Sequence, residues 1–338
     1  EIFVFSYGNV KQSQLVDDTM KKVNLFKNIN KMSDLEIVNL SRKLEIDIAI
    51  DLKGYTLNSR SKLFAYRLAP IQINYLGYPG TLGSSFIDYL VADKTLIPPE
   101  FRNCYKEKIV YLPNSYQPND DKRIISKATT SRSNFDLPIK GFVFCCFNTS
   151  YKITPEEIEV WSSILNKVNN SIIWLIDTDV VAKKNIVQTF KNKKIDESRI
   201  KFAKNLPHNK HLERIKHADL FLDTFNVNAH TTCSDTLWAG VPLVTKIGNQ
   251  FAARVASSLL KAVNLDELIT TSNEQYEKMA LKLATNKDYL NSIKKKLNNN
   301  KENLNLFNTK KYTKNFEKAL TLIYNRKLQE KDSCDFEI

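Results

Sequence analysis

Apolar runs and helix-spaced apolar positions alternate through the second half of the chain. Gly141–Cys146, Ser171–Ile176, Ile200–Ala203, Asp219–Leu222 and Pro242–Thr245 are short apolar runs with polar flanks, the pattern of buried strands. Between and after them, Thr154–Asn166, Val180–Lys191, Pro207–His217, Thr232–Ala239 and Phe251–Ala262 carry apolar residues on one helical face. Thr154 stands at an N-cap, Pro155 at the first helical position, and Glu157 at the spacing that closes a capping box. Repeated strand–helix units predict a parallel sheet covered by helices on both faces. The first half follows the same grammar less cleanly. Strands are predicted at Glu1–Tyr7, Ile46–Asp51, Ile71–Leu76, Phe86–Val91 and Lys108–Leu112, and helices at 12–27, 33–44 and Ser61–Arg67. Over 113–139 the pattern lapses into Pro, Asn, Asp, Ser and Lys, which reads as a linker. Residues 274–302 read as two amphipathic helices and Lys311–Arg326 as a last one. No internal repeat is visible.

A length of 338 residues suits about two domains. No apolar run approaches the roughly 18 residues of a membrane helix. The opening residues resemble a strand, without the basic start and cleavage site of a signal peptide, so the chain reads as a fragment that begins inside a fold. The formal net charge of +13 favours acidic partners such as nucleic acid, anionic surfaces or phosphorylated substrates. The lysines are dispersed, however. The densest stretch, Lys294–Lys314, lacks the aromatic-plus-arginine module of a nucleic-acid binder and reads as a solvated face. The cysteines are Cys104, Cys145, Cys146, Cys233 and Cys334, with no C-x-x-C pair, which suits a reducing compartment, the cytoplasm. His208, His211 and His217 share one helix with no clustered carboxylates or thiols beside them, so a metal site is not expected.

Candidate chemistry gathers where strands end. After Asp223 a short polar loop leads to His230, Thr231 and Thr232, directly before a helix. The first turn of a helix has unpaired N–H groups and a partial positive charge, so it attracts anions. Thr232 and Asp235 also have capping-box spacing. The residues alone leave both readings open. Asn148–Lys152 follows another strand, where ligands of parallel sheets bind and a lysine can neutralise phosphate. Asp177 and Asp179 follow a third strand, either as a metal-holding pair or as helix caps. Gly77–Gly83 carries three glycines after Leu76, permitting close backbone approach, or forming a tight Pro-Gly turn. It is not a dinucleotide-binding G-x-G-x-x-G.

Residues 228–242 (Asn-Ala-His-Thr-Thr-Cys-Ser-Asp-Thr-Leu-Trp-Ala-Gly-Val-Pro), 68–83 and 146–155 resemble the catalytic region of the O-linked N-acetylglucosamine transferases and their SPINDLY relatives. Phe251–Ser258 and Phe307–Thr313 resemble it too, so the likeness runs from about residue 1 to 327. The resemblance implies an α/β fold of the GT-B type: two Rossmann-like parallel-sheet domains with a nucleotide-sugar cleft between them. The implied domains are 1–126, acceptor-side and truncated at its start; 127–305, nucleotide-sugar-binding; and 306–330, a helix packing back on the first domain. It implies an inverting, metal-independent transfer of N-acetylglucosamine from UDP-GlcNAc, without cofactor, to Ser/Thr hydroxyls of acceptor proteins. Neither a membrane nor a nucleic acid is an implied partner. Carried over by motif, Lys152 stabilises the leaving diphosphate; Thr231 and Thr232 hold phosphate, and Asp235 reaches the ribose. Asn148, Thr149 and His230 border that site, and His208, His211 and Arg214 lie near the nucleotide. Gly77, Tyr78, Pro79, Gly80 and Thr81 lie near sugar and acceptor.

Three departures keep other readings open. No histidine precedes His208, whereas the family carries one upstream; no tetratricopeptide repeats are present; and His208 and Glu213 stand where relatives have a lysine and an arginine. The alternatives are a protein O-fucosyltransferase using GDP-fucose, as SPINDLY relatives do, and a catalytically incomplete module that binds a nucleotide sugar or a partner.

Overall fold

A computed structural model describes residues 1–8, 13–299 and 304–338. The chain divides into two compact units. One comprises Glu1–Val91, Asn103–Val110 and Ala319–Phe336; the other comprises Ala92–Arg102, Tyr111–Lys318 and Glu337–Ile338.

The first unit opens with β1 (Phe3–Ser6), α1 (Gln14–Lys22), β2 (Leu25–Asn28) and α2 (Asp34–Lys43). The helix expected over 12–27 is therefore shorter at its end, and its first position lies outside the described residues. Leu25–Asn28 instead pairs in parallel with β1, Phe3 against Leu25 through Ser6 against Asn28. Four residues with two apolar positions are too few to show a period of two, which is why a strand there escapes pattern reading. Ser33 caps α2 through a reciprocal box with Glu36. The chain continues through β3 (Ile48–Asp51), a 3-10 turn at Ser61–Tyr66, β4 (Ile71–Asn74), β5 (Tyr89–Ala92) and β6 (Lys108–Tyr111). β3, β4 and β5 run parallel, with Ile48 opposite Ile71 and Ile73 opposite Tyr89. Ile37, Val38, Leu63, Phe64, Leu68, Leu82 and Ile87 form a core cluster with Ile29.

The second unit alternates as its sequence suggests: β7 (Phe142–Cys146), α3 (Pro155–Lys167), β8 (Ser171–Ile176), α4 (Val180–Asn192), β9 (Ile200–Ala203), α5 (His208–Ile215), β10 (Leu220–Leu222), α6 (Thr231–Trp238), β11 (Leu243–Lys246), α7 (Val255–Ala262), β12 (Ile269–Thr270), α8 (Asn273–Thr285) and α9 (Lys287–Asn298). The tail of the second helix expected over 274–302 extends beyond the described residues. The sheet order is β12-β11-β10-β7-β8-β9, and its adjacent pairs are parallel. Its strands are almost wholly buried, so they read as continuous apolar runs rather than alternations. The chain ends with α10 (Thr309–Leu328) and β13 (Phe336–Glu337), the latter on the edge of the sheet ordered β13-β6-β5-β4-β3.

The 113–139 stretch carries only one 3-10 turn, Arg132–Phe135, as its composition suggests. It is nevertheless packed rather than loose. Tyr116 is buried edge-to-face on Phe251 at 5.2 Å, and its carbonyl accepts from the Tyr312 hydroxyl at 2.8 Å. Among the described residues no helix is long and apolar enough to cross a membrane.

Candidate functional site

β7 is the strand at which the second sheet changes direction: β8 and β9 lie on one side of it and β10 to β12 on the other. Such a switch opens a crevice outside the C-terminal ends of the two central strands, where ligands of open α/β sheets bind. Here those ends are Cys146 and Leu222, and the loops beyond them carry Asn148–Lys152 and Asp223–His230.

A buried carboxylate ties the loops together. Asp223 accepts from the backbone N–H of Thr224 at 2.9 Å and of Ala229 at 2.7 Å, and from the Thr245 hydroxyl at 2.7 Å. Asn148 Nδ2 reaches Asp223 at 3.2 Å and the Thr224 hydroxyl at 2.7 Å. Phe225 N donates to Glu157 of the α3 capping box at 2.8 Å. Burial pushes the Asp223 carboxyl up to about 7, against the bonds from Thr245 and Ala229 and the charge of Lys152. Lys152 closes a 3-10 turn, and its Nζ donates to the Asn228 carbonyl at 2.9 Å. Thr149, before it, is exposed.

His230 takes the N-cap position of α6, and no side chain caps that helix. The capping box between Thr232 and Asp235 is therefore not formed. α6 begins at Thr231, one residue earlier than its pattern suggests, and Asp235 is drawn inward to a cation instead. Thr231 is exposed and Thr232 half-buried at the open end of the helix. Burial, helped by the charge of Lys152, lowers His230 to about 4, while its bond to the Ala252 carbonyl at 3.1 Å opposes the shift. It is thus neutral near pH 7, with Nε2 as donor and Nδ1 left as acceptor.

α5 brings a second group. Arg214, 2% exposed, donates from Nε to His211 Nδ1 at 2.9 Å and lies 5.3 Å over the Phe147 ring. Burial holds His211 at about 4, helped by the charges of Arg214 and His208, so its Nε2 carries the proton. Burial also pulls Arg214 down to about 10. Arg214 thus stands behind His211 as its support. Glu213 is buried and accepts from Thr130. His208, exposed at the start of α5, lies 3.0 Å from Asp235 Oδ2.

Arg123, from the stretch read as a linker, escaped the sequence reading. Its Nη1 pairs with Asp235 Oδ1 at 2.7 Å, and both side chains are 8% exposed. The pair spans more than a hundred residues, so no local period signals it. Asp177 and Asp179 serve a helix: Asp179 caps α4 through Ala182 N at 2.9 Å, and Asp177 pairs with Lys183 at 2.6 Å. Among the described residues no three His, Cys, Asp or Glu side chains gather as a metal site.

The Gly77–Gly83 loop belongs to the first unit. A Cβ on Gly77 would meet the Leu52 carbonyl oxygen at 2.1 Å, so that close backbone approach requires glycine. Asn74 Nδ2 holds the Gly80 carbonyl at 2.9 Å, and buried Glu107 accepts from Leu82 N at 2.6 Å and from the Thr81 hydroxyl. Tyr78 stacks edge-on with Tyr55 at 5.5 Å, and Pro79 is half-buried beside it.

A model of glycosyl transferase family 41 matches residues 1–130 and 124–316. The chain is 34% identical over 331 residues to the probable UDP-N-acetylglucosamine–peptide N-acetylglucosaminyltransferase SEC of Arabidopsis thaliana, covering 96% of this chain and 34% of that protein. It is 26% identical over 392 residues to the UDP-N-acetylglucosamine–peptide N-acetylglucosaminyltransferase of Caenorhabditis elegans, covering 83% and 34%. The chain thus spans about a third of the length of these relatives. Among solved structures, a mutant Thermobaculum terrenum O-GlcNAc transferase superposes with a TM-score of 0.89 at 28% identity, over 97% of this chain and 62% of that one. Anabaena HepE in complex with UDP and glucose matches at a TM-score of 0.58 and 13% identity, over 95% and 91%, a likeness of fold alone. The fold is GT-B, with two Rossmann-like units.

Proposed function

Because the chain belongs to glycosyl transferase family 41, we propose that it moves N-acetylglucosamine from UDP-N-acetylglucosamine to Ser/Thr hydroxyls of proteins, with inversion at the anomeric carbon. One observation carries the reading. Lys152 Nζ is held 2.9 Å from the Asn228 carbonyl at the switch point of the sheet, three residues before the uncapped helix that starts at Thr231. That pairs a cation with unpaired N–H groups at one crevice, the donor set a diphosphate needs.

In the reaction, the acceptor oxygen bonds to the anomeric carbon from the face opposite the diphosphate, and its proton passes to solvent water. The anomeric C–O bond breaks, and its electron pair goes to the β-phosphate oxygen. Negative charge grows there, and Lys152 trades its carbonyl partner for that oxygen. Thr231 and Thr232 add hydroxyls at the helix end, and Asn148 and Thr149 border the phosphates. His230 stays neutral beside Lys152, so it brings no second charge to the crevice, and its N–H is spent on the Ala252 carbonyl. His208, His211 and Asp235 line the nucleoside, and Arg214 steadies His211. Gly77–Thr81 is our candidate for sugar and acceptor contacts. Lys152 and the helix end supply the positive charge that leaving-group departure requires, so we propose turnover without a metal. Free thiols at all five cysteines support a reducing compartment, the cytoplasm.

A turnover assay with UDP-N-acetylglucosamine, GDP-fucose and other sugar nucleotides, run with and without chelator, tests the reading. Release of UDP and sugar transfer to Ser/Thr peptides, undiminished by chelator, are expected. Lys152→Ala should lower kcat roughly 100- to 1,000-fold with a much smaller change in UDP affinity. Turnover of GDP-fucose alone would transfer the assignment to a fucosyltransferase, and nucleotide binding without turnover would leave a binding module.

A further inference from the structure

Arg123 sits deep in the second unit with its donors directed by name. Nη1 meets Asp235 Oδ1 at 2.7 Å and the Ser234 hydroxyl at 3.1 Å, and Nε meets the Asp120 carbonyl at 3.0 Å. Its guanidinium lies 5.1 Å from the Trp238 ring and 5.5 Å from the Phe307 ring, and Trp238 Nε1 donates to the Arg123 carbonyl at 3.2 Å. Nη2 is buried with no partner among the described residues, so the placement satisfies Asp235 at the expense of one of Arg123's own donors. The two oxygens of Asp235 are therefore unlike. Oδ1 is saturated by a buried charge, whereas Oδ2 meets His208, whose side chain is 54% exposed and displaceable.

We propose that Arg123 is a positioning residue that locks the Asp235 carboxylate with its outer oxygen turned to receive the ribose diol of the donor nucleotide, in exchange for His208. The inference rests on the nucleotide-sugar reading above. Asp235 lies one helical turn, about 5.4 Å, beyond Thr231, so phosphates on the helix end bring a ribose over this carboxylate. With Oδ1 tied to Arg123 Nη1, Oδ2 is the oxygen left to accept the ribose O–H groups, and the ring-clamped guanidinium keeps Oδ1 from taking that place.

The test is the ratio of affinities for UDP and for its 2′-deoxy and 3′-deoxy forms, measured by titration calorimetry on the wild type and Arg123→Gln, with melting curves as a check of folding. The wild type should prefer UDP by roughly tenfold or more, as for a hydrogen bond to a charged group. In Arg123→Gln the ratio should fall toward one while the deoxy forms bind as before. A purely structural role would weaken all three nucleotides in proportion, and that unchanged ratio overturns the proposal. So does a wild type that binds ribo and deoxy forms alike. A wild type that binds none of them instead overturns the nucleotide-sugar reading itself, before any variant is made. If Arg123→Gln does not fold, Arg123→Lys keeps a buried cation without the planar fork, and the same fall in ratio is expected of it.

Discussion

Asp223 shows how one side chain sets the shape of a site it need not touch. It is fully buried, yet its oxygens receive the Thr224 and Ala229 amides, the Thr245 hydroxyl and the Asn148 amide. Those bonds fix the loop whose Asn228 carbonyl holds Lys152. Burial outweighs the bonds and raises the carboxyl from 3.8 to about 7. Since the folded value lies above the unfolded one, protonation favours the fold: the contribution is whole below pH 3.8 and is lost as pH rises through about 7. Asn is a neutral mimic, able to accept the amide donors through its oxygen and to donate to Thr245. Asp223→Asn should therefore match the wild type in acid and grow relatively more stable as pH rises through about 7, by on the order of a few kcal/mol. His211 and His230, both lowered to about 4, weaken the fold on the acid side of their ordinary 6.5, but they act equally in both proteins and cancel in the difference. Urea unfolding of the pair across that pH range checks it, and a difference independent of pH would show that Asp223 stays ionised in the fold.

At the scale of elements, two helix ends set a stabilising role against the proposed binding role. α2 closes its first turn with the Ser33–Glu36 box, whereas α6 leaves its first turn without any side-chain cap. Ser33→Ala should cost about 1 kcal/mol of stability and leave UDP affinity unchanged. Thr231→Ala and Thr232→Ala should cost little stability, because neither hydroxyl caps its helix, and should weaken UDP binding by roughly tenfold together. Thermal melts and UDP titrations on the same three variants check both halves. A large loss of stability in the α6 variants would return those threonines to a capping role. The contrast also marks how far the sequence was legible. Ser171–Ile176 and Ile200–Ala203 appear as strands residue for residue, and the α3 cap closes as Thr154 and Glu157 suggest, because burial and capping leave local signatures. β2, β12 and β13 were not, being two to four residues long and set by their pairing partners. In the candidate site, Lys152, His230 and Thr231 stand out because they lie in the segments past strand ends. Arg123 does not: its partner Asp235 lies far along the chain, and the capping spacing of Asp235 pointed to Thr232 instead.

At the scale of the whole chain, a net charge of +13 and two compact units make separable predictions about nucleotide binding. Part of the basic surface is already paired: Lys296 with Glu267 at 2.5 Å, Lys201 with Asp136 at 2.7 Å, Lys246 with Glu156 at 2.7 Å. If the charge served nucleic acid, affinity would fall roughly 10³- to 10⁵-fold between about 50 and 200 mM salt, as for six to ten phosphate contacts. A nucleoside diphosphate held by Lys152 and a helix end makes far fewer, so UDP affinity should fall less than about tenfold over that range. The ligand should also act on one unit. Every residue assigned to the nucleotide, from Asn148 to Asp235, belongs to the second. Saturation at about 100 times Kd stabilises a folded unit by about 2.7 kcal/mol, and hydrogen exchange can resolve where. Added UDP should slow exchange in Asn148–Lys152 and Asp223–Asp235 and in the strands β7 and β10 that carry those loops, while α1 and α2 exchange as before. Protection confined to the first unit, or a salt slope as steep as that of a nucleic-acid binder, would remove the nucleotide from the switch point between β7 and β10.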